Sequence, residues 1–241
     1  MKNFGYIPDK PDQRDWVYSA RRKALPESID LRDKFPPIYH QKGADCVPNA
    51  LCGAFGYEER YFRPSRMFVW YNTRSITGNQ DLNTGTTIKN GIKTMANDGV
   101  CSEAKWRYIQ PHDKRPTEAC YYQGQKHQIL EYYKLVNPSI RDVKNCLAEG
   151  YPITIGLTLF KSFWKSKVKK TGIVKMPCRF LFWTEETSAH HAVVVVGYNT
   201  KGFICRNSWG SQWGDQGYLY LPFRYIRYFA DCWTIRTIER I

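Results

Sequence analysis

Residues 188–221, "SAHHAVVVVGYNTKGFICRNSWGSQWGDQGYLYL", place two histidines at the start of an apolar run and an asparagine just beyond the next one. The β-branched text "HHAVVVVGYNT" predicts a strand closed by a turn, and "GFICRNSWG" predicts a second strand beside it. A side chain at the first residue of a strand can face a cleft, so His190 and His191 are candidates for chemistry. The amide oxygen of Asn207 can accept from an imidazole N–H and fix which ring nitrogen carries the proton. Each residue also has a plainer use. A histidine at a strand edge can be a satisfied structural group, Asn207 can make a turn, and the tryptophans can be core.

Further upstream, residues 40–56 read "HQKGADCVPNALCGAFG". Pro36-Pro37 exclude a helix in the approach, whereas Pro48 is tolerated in the first turn of one. Ala50, Leu51, Ala54 and Phe55 then give an apolar stripe at helical spacing. Cys46 therefore stands at a helix amino terminus, with Gln41 shortly before it. A thiol attacks only as thiolate, and a helix amino terminus and a nearby imidazolium both favour that form. Such a nucleophile needs a histidine brought from elsewhere in the fold and a third group to orient it. The plainer reading of a lone cysteine is a small buried hydrophobe.

The remaining text divides into a helical first half and a β-rich second half, an α+β arrangement. Helices are predicted at "SRMFVWYNTRS" and at "TTIKNGIKTMANDG", the latter closed by Gly99. "NPSIRDVKNCLAEG" predicts a short helix capped by Asn137, begun by Pro138 and ended by Gly150. It leads into the strand "YPITIGLTLF", and "GYLYLPFRYI" and "CWTIRTIERI" predict two more. Residues 1–27, rich in charge, Pro and Tyr, read as an amino-terminal arm. The helical lobe spans about 46–125 and the β-rich lobe about 126–241.

With 241 residues, 42% hydrophobic and 15% aromatic, the chain can bury a core, and disorder is excluded. Lys and Arg give a net charge of +14, but they are scattered, with local density only at "ARRKA" and "FKSFWKSKVKKTG". No nucleic-acid-binding pattern accompanies them, so they read as a solvated basic surface and no nucleic-acid partner is expected. No window is apolar enough for a membrane span, and the first thirty residues lack the apolar core of a signal peptide. The expectation is a cytoplasmic or virion-associated monomer with free thiols. The eight cysteines include no C-x-x-C, and neither a metal site nor a cofactor is expected.

Taken together, these segments resemble the papain-like cysteine peptidases. "SAHHAVVVVGYN" looks like that family's histidine strand, and "CRNSWGSQWGDQGYLYL" matches its pattern N-S-W-G-x-x-W-G-x-x-G-Y at every defining position. A cysteine near the mature amino terminus with His and Asn far downstream is the family's arrangement. The resemblance runs from about Leu25 to the end. "NTGTTIKNGIKTMANDGVCSEAKWRY" and "LAEGYPITIGLTLFKSF" look more like its prokaryotic and viral branch. It implies two lobes, one helical and one β-barrel-like, with the active-site cleft between them.

By resemblance Cys46 is the nucleophile, His191 its base and acid, and Asn207 the orienter. Gln41 supplies an oxyanion donor alongside the Cys46 backbone N–H, and Trp209 covers the Asn207–His191 bond. Gly85 offers backbone to an extended peptide or protein substrate, His190 lines the cleft, and Ala189, Ala192 and Asp231 approach the pocket for the second residue from the scissile bond. The implied activity is endopeptidase hydrolysis through a thioester. Thiol acyl transfer and a catalytically silent peptide-binding homologue are the alternatives.

The chain departs from the family's Q-G-x-C-G-S-C-W: it reads Q-K-G-A-D-C-V, one residue shorter, with Gly43 in place of a cysteine. In place of a long prodomain it has the arm, whose Tyr6, Trp16 and Tyr18 are costly to leave in water. Pro8 and Pro11 favour an extended course, the shape a peptide cleft accepts. The arm is therefore expected to regulate access to the cleft as a short propeptide, with "ARRKA" as a processing point. An arm simply packed on the β lobe is the competing expectation.

Overall fold

A computed structural model of the protein describes residues 2–20, 24–180 and 183–237. The processing point expected within "ARRKA" lies largely outside them.

Strands β1 (Lys2–Asn3) and β2 (Ile29–Asp30) precede a helical block of α1 (Cys46–Glu58), α2 (Arg66–Ser75), α3 (Ile88–Asn97) and α4 (Glu118–Gly124). Then come β3 (Glu131–Lys134), α5 (Ile140–Ala148), β4 (Ile153–Phe160), α6 (Ser166–Thr171) and the short pair β5 (Arg179–Phe180) and β6 (Trp183–Thr184). The chain closes with β7 (Thr187–Tyr198), β8 (Gly202–Arg206), β9 (Tyr218–Pro222) and β10 (Phe229–Arg236). The main sheet runs β3-β10-β4-β7-β8-β9, and β1 and β2 also pair with β7. The fold is α+β, with a helical block before a largely antiparallel sheet. Chain from before the helical block thus reaches across onto the β-rich part.

The unbroken apolar text of β7 arises because that strand is buried on both faces. Ala192, Val194 and Val196 join a core with Leu51, Phe55, Phe68 and Ile92 of the helices. Val193 and Val195 join a second core with Ile155, Leu157, Val143 and Leu147. Alternation along one strand therefore anchors both cores, and α1 packs directly on that strand.

The expectations of helices at "SRMFVWYNTRS" and "TTIKNGIKTMANDG" hold, as α2 and α3. Ser65 and Thr87 cap α2 and α3, and Gly99 follows α3 at φ 69°, where a Cβ-free residue is favoured. Others need correction. The cap of α5 is Ser139, which forms a reciprocal capping box with Asp142, while Asn137 sits outside the helix at φ 44°. The second half of "GYLYLPFRYI" is a 3-10 helix, Phe223–Tyr228, rather than strand. Pro222, at the end of β9, is where the extended course ends.

The arm is extended and tied at two levels. Residues 2–9 enter the gap between the helices and β7, whereas Val17 pairs with Lys134 of β3. Tyr6 is buried, as its aromatic character suggests. Trp16 is not: it remains 61% exposed, stacked on Tyr132 at a ring distance of 6.4 Å and tilted against Tyr133 at 6.3 Å. Different stretches of the arm thus lie along β7 and along β3.

Candidate active site

Cys46 opens α1 and is wholly buried. Its sulfur accepts the Ala192 backbone N–H at 3.4 Å, which ties the helix start to β7. Beside Ala192, His191 presents Nε2 at 2.8 Å from Asn207 Oδ1. An amide oxygen only accepts, so Nε2 carries the hydrogen and Nδ1 is left as the basic nitrogen. Nδ1 is buried with no hydrogen-bond partner among the described residues. The Asn207 oxygen also receives the Ser208 backbone N–H at 2.8 Å, which fixes the amide's orientation. Trp209 lies over the imidazole, ring centroids 4.8 Å apart and planes 28° from parallel. It shields the Asn207–His191 bond from water, where a competing solvent partner would weaken it.

Burial dominates the electrostatics. It pushes the Cys46 thiol well above the ordinary range, and the neighbouring Asp45 charge adds to this. The Ala192, Val47 and Cys46 N–H groups pull the other way without prevailing. Burial likewise lowers His191 to about 4, against a smaller raising effect of the Asn207 bond. The helix amino terminus alone does not ionise the thiol here; both groups are neutral at pH 7 in this covered state.

What covers them is the arm. The Phe4 carbonyl oxygen accepts from Gln41 Nε2 at 3.2 Å and from the Cys46 backbone N–H at 3.1 Å. Despite the shorter loop, the two donors therefore converge on one carbonyl oxygen. Gln41 is held by Ser208, whose Oγ donates to Gln41 Oε1 at 2.7 Å, while its Nε2 also reaches Gly43 O at 3.0 Å. The Phe4 ring fills an aromatic recess, 5.5 Å from the His191 ring, 5.4 Å from Trp164 and 5.3 Å from Trp209.

On either side of Phe4 the arm uses backbone pairing. Lys2 and Asn3 run parallel to Ala189 and His190. Gly5 O accepts from Thr86 N–H at 2.8 Å, and Ile7 N–H donates to Thr86 O at 3.0 Å. Gly85 lies so close beneath Gly5 that a Cβ on it would meet Gly5 backbone atoms at 2.5 to 2.7 Å. The pairing itself is made by the next residue, Thr86. The Tyr6 ring stands edge-on to His190 at 6.4 Å and covers Gly156. Its hydroxyl donates to Asp231, which also accepts the Asp9 N–H at 2.8 Å. Ala189 is fully buried and contributes backbone to this strip.

A match to the profile of "Papain family cysteine protease" spans residues 74–228. This chain belongs to the papain family of cysteine proteases. An uncharacterised peptidase C1-like protein of Acanthamoeba polyphaga mimivirus is 32% identical over 98% of this chain and 88% of its own length. The solved structure of xylellain, a cysteine protease from Xylella fastidiosa, superposes with a TM-score of 0.89 at 32% identity, covering 98% of this chain and 97% of that one. A digestive procathepsin L 3 of Tenebrio molitor larval midgut shares the fold alone, with a TM-score of 0.75 at 18% identity over 97% of this chain and 76% of that one. The chain spans 62% of the length of a Fasciola hepatica cathepsin L-like proteinase to which it is 24% identical. The viral and bacterial relatives accord with the prokaryotic and viral branch.

Several residues at this protease's centre escaped the sequence reading. Phe4 and Gly5 lie in "NFGYIP", where a glycine between two aromatics was the available signal. Trp164 was hidden within a basic run, and Ser208 within a motif whose neighbours drew attention. All eight cysteines are unpaired. No group of side chains able to hold a metal ion occurs among the described residues, and no helix there is long and apolar enough to cross a membrane.

Proposed function

We propose that this cysteine protease is an endopeptidase working through a Cys46 thioester, with His191 and Asn207 completing the triad and Gln41 and the Cys46 N–H forming the oxyanion hole. The observation that carries this reading is the carbonyl oxygen of Phe4 held between those two donors at 3.2 and 3.1 Å. A tetrahedral intermediate needs such a pair already in place. When a substrate carbonyl takes the position, the Cys46 proton passes to His191 Nδ1 and sulfur attacks the carbonyl carbon. Negative charge moves to the oxygen between Gln41 and the Cys46 N–H. Collapse of the intermediate breaks the C–N bond as His191 returns the proton to the departing amine. Water, deprotonated by His191, then hydrolyses the thioester. Asn207 holds the imidazole through both halves. Labelling by an epoxide thiol-peptidase probe, followed by mapping, tests this: Cys46 should carry the label, and Cys46→Ala and His191→Ala should each abolish peptide hydrolysis. Turnover retained by Cys46→Ala would refute the mechanism.

The arm, on the same reading, is a self-inhibitory segment. It occupies the oxyanion donors, the imidazole face and the strip beside Gly85 at once. Cleavage of the Phe4–Gly5 bond would make Gly5 the leaving side, yet Gly5 is bonded to Thr86 of the helical lobe, whereas residues 2–3 run along β7 where His191 stands. The side needing a proton is thus turned from the acid that supplies it. That orientation lets the arm lie in the cleft without being cut.

A further inference from the structure

The short loop from Gln41 to Cys46 raises a question of its own: what makes its two oxyanion donors point the same way? Its backbone N–H groups have specific partners. Gln41 N–H donates to Ser208 O at 2.8 Å, Lys42 N–H to the Tyr108 hydroxyl at 2.8 Å, Gly43 N–H to Asp45 Oδ1 at 3.2 Å and Ala44 N–H to Asn83 Oδ1 at 3.1 Å. Two of the acceptors, Tyr108 and Asp45, are also joined to each other, the Tyr108 hydroxyl donating to Asp45 Oδ2.

Asp45 is fully buried next to the nucleophile. Standing at the N-cap position of α1, it would ordinarily accept from the N–H two or three residues on. The residue three on is Pro48, which has no N–H, and the Asp45 side chain makes no capping bond. Its carboxylate turns back instead, to Gly43, to Asn49 Nδ2 at 2.9 Å and to Tyr108. Arg66 completes the assembly. Its guanidinium sits 3.7 Å from the Tyr108 ring centre, bonds Asn49 Oδ1 at 3.2 Å and pairs with Glu103 at 2.7 Å. A buried anion beside a sulfur that must become negative opposes catalysis electrostatically, so its contribution lies elsewhere, in geometry.

We propose that Tyr108 and Asp45 are positioning residues: the Tyr108 hydroxyl, bridging the Lys42 N–H and the Asp45 carboxylate, sets the loop so that Gln41 and the Cys46 N–H meet at one oxygen. The inference rests on the oxyanion assignment made above, and the experiment separates the two.

The full-length protein is compared with and without Gly5→Ala, a change that displaces the arm, and Tyr108→Phe and Gln41→Ala are introduced singly and together. Tyr108→Phe should lower kcat about 10- to 100-fold, as expected for a misplacement on the ångström scale, with KM within about twofold. Iodoacetamide alkylation of Cys46, which forms no oxyanion, should keep its rate. In the Gln41→Ala protein the added Tyr108→Phe should cost little, because both act through the same hole. Asp45→Asn, which turns one accepting oxygen into an NH2 donor and so breaks either the Gly43 bond or those from Tyr108 and Asn49, should reproduce the loss in kcat should Tyr108→Phe not fold. An undiminished kcat in Tyr108→Phe beside a crippled Gln41→Ala overturns this proposal alone, as do fully additive losses or a parallel fall in alkylation. An undiminished kcat in Gln41→Ala overturns the oxyanion assignment, and this inference with it.

Discussion

Gly5→Ala asks for more than the loss of a flexible residue. Gly5 has φ 102°, a backbone region that residues with a Cβ rarely adopt, and a Cβ there would fall within the Ala44 carbonyl and 2.7 Å from the Asp45 nitrogen. The strained conformation costs roughly 1–3 kcal/mol. Overpacking against the backbone just before α1 costs roughly another 1–3 kcal/mol. Even the smaller sum, about 2 kcal/mol, shifts a docking equilibrium about 30-fold at 1.36 kcal/mol per tenfold. Relief is available by releasing residues 2–9, which leaves both cores intact, so the arm and not the fold should give way. The assay is epoxide labelling of Cys46 in parallel with hydrolysis of a short fluorogenic peptide. Both rates should rise, by about 30-fold or until the cleft is open in every molecule. A synthetic peptide of residues 1–12 should then inhibit the variant in trans. Labelling at the parent's rate in a stably folded Gly5→Ala protein would refute the reasoning, because it would mean that the arm does not limit access.

In the Gly5→Ala background, Gln41→Ala should lower kcat by about 10²–10³ while leaving KM nearly unchanged, read from steady-state kinetics. Because burial raises the Cys46 thiol above its ordinary range while the arm is docked, that thiol stays protonated through neutral pH. Iodoacetamide labelling mapped to Cys46, apart from the exposed Cys178, should therefore climb about tenfold per pH unit between about pH 7 and 9 in the unaltered protein, as the small thiolate fraction grows, whereas the open variant should show a flatter profile. A flat profile in the unaltered protein would mean that the sulfur is already ionised under the arm. Asp231→Ala should leave the Tyr6 hydroxyl and the Asp9 N–H unpaired and weaken docking by about 1–3 kcal/mol, seen as faster epoxide labelling. Labelling unchanged by that substitution would place the arm's anchoring elsewhere.

The legible part of this protein was the part written as regular structure beside chemistry. The run behind His191 reads as strand because β7 buries both faces, and the motif around Asn207 reads as a turn stacked with tryptophan. Helix α1 was legible because Pro48 falls where a helix tolerates it. What failed did so where a competing local bond, or a neighbour far along the chain, decides. Ser139 prevails over Asn137 as a cap through its reciprocal bond with Asp142, and Phe223–Tyr228 forms a 3-10 helix despite its alternating text. At the site, Phe4 and Gly5 carry no local sign of where they dock beyond a glycine between two aromatics, since their partners lie in β7, α1 and the segment at Thr86. At the N-cap position of α1, Asp45 carries no local sign of its bonds to Gly43, Asn49 and Tyr108. Only the missing N–H of Pro48, together with a tyrosine from a distant loop, gives that carboxylate another use.

The meeting of Gly5 and Gly85, backbone against backbone, has a consequence for how such an enzyme can change. If peptides are read along the same strip that the arm now covers, selection acts on one surface with two customers. A substitution there that grips substrates better grips the arm better as well, and one that sheds the arm sheds substrate with it. Gains in catalytic efficiency and gains in restraint are then locked together at Gly85, and the two can be tuned apart only from the arm's own residues or from pockets that the arm does not fill.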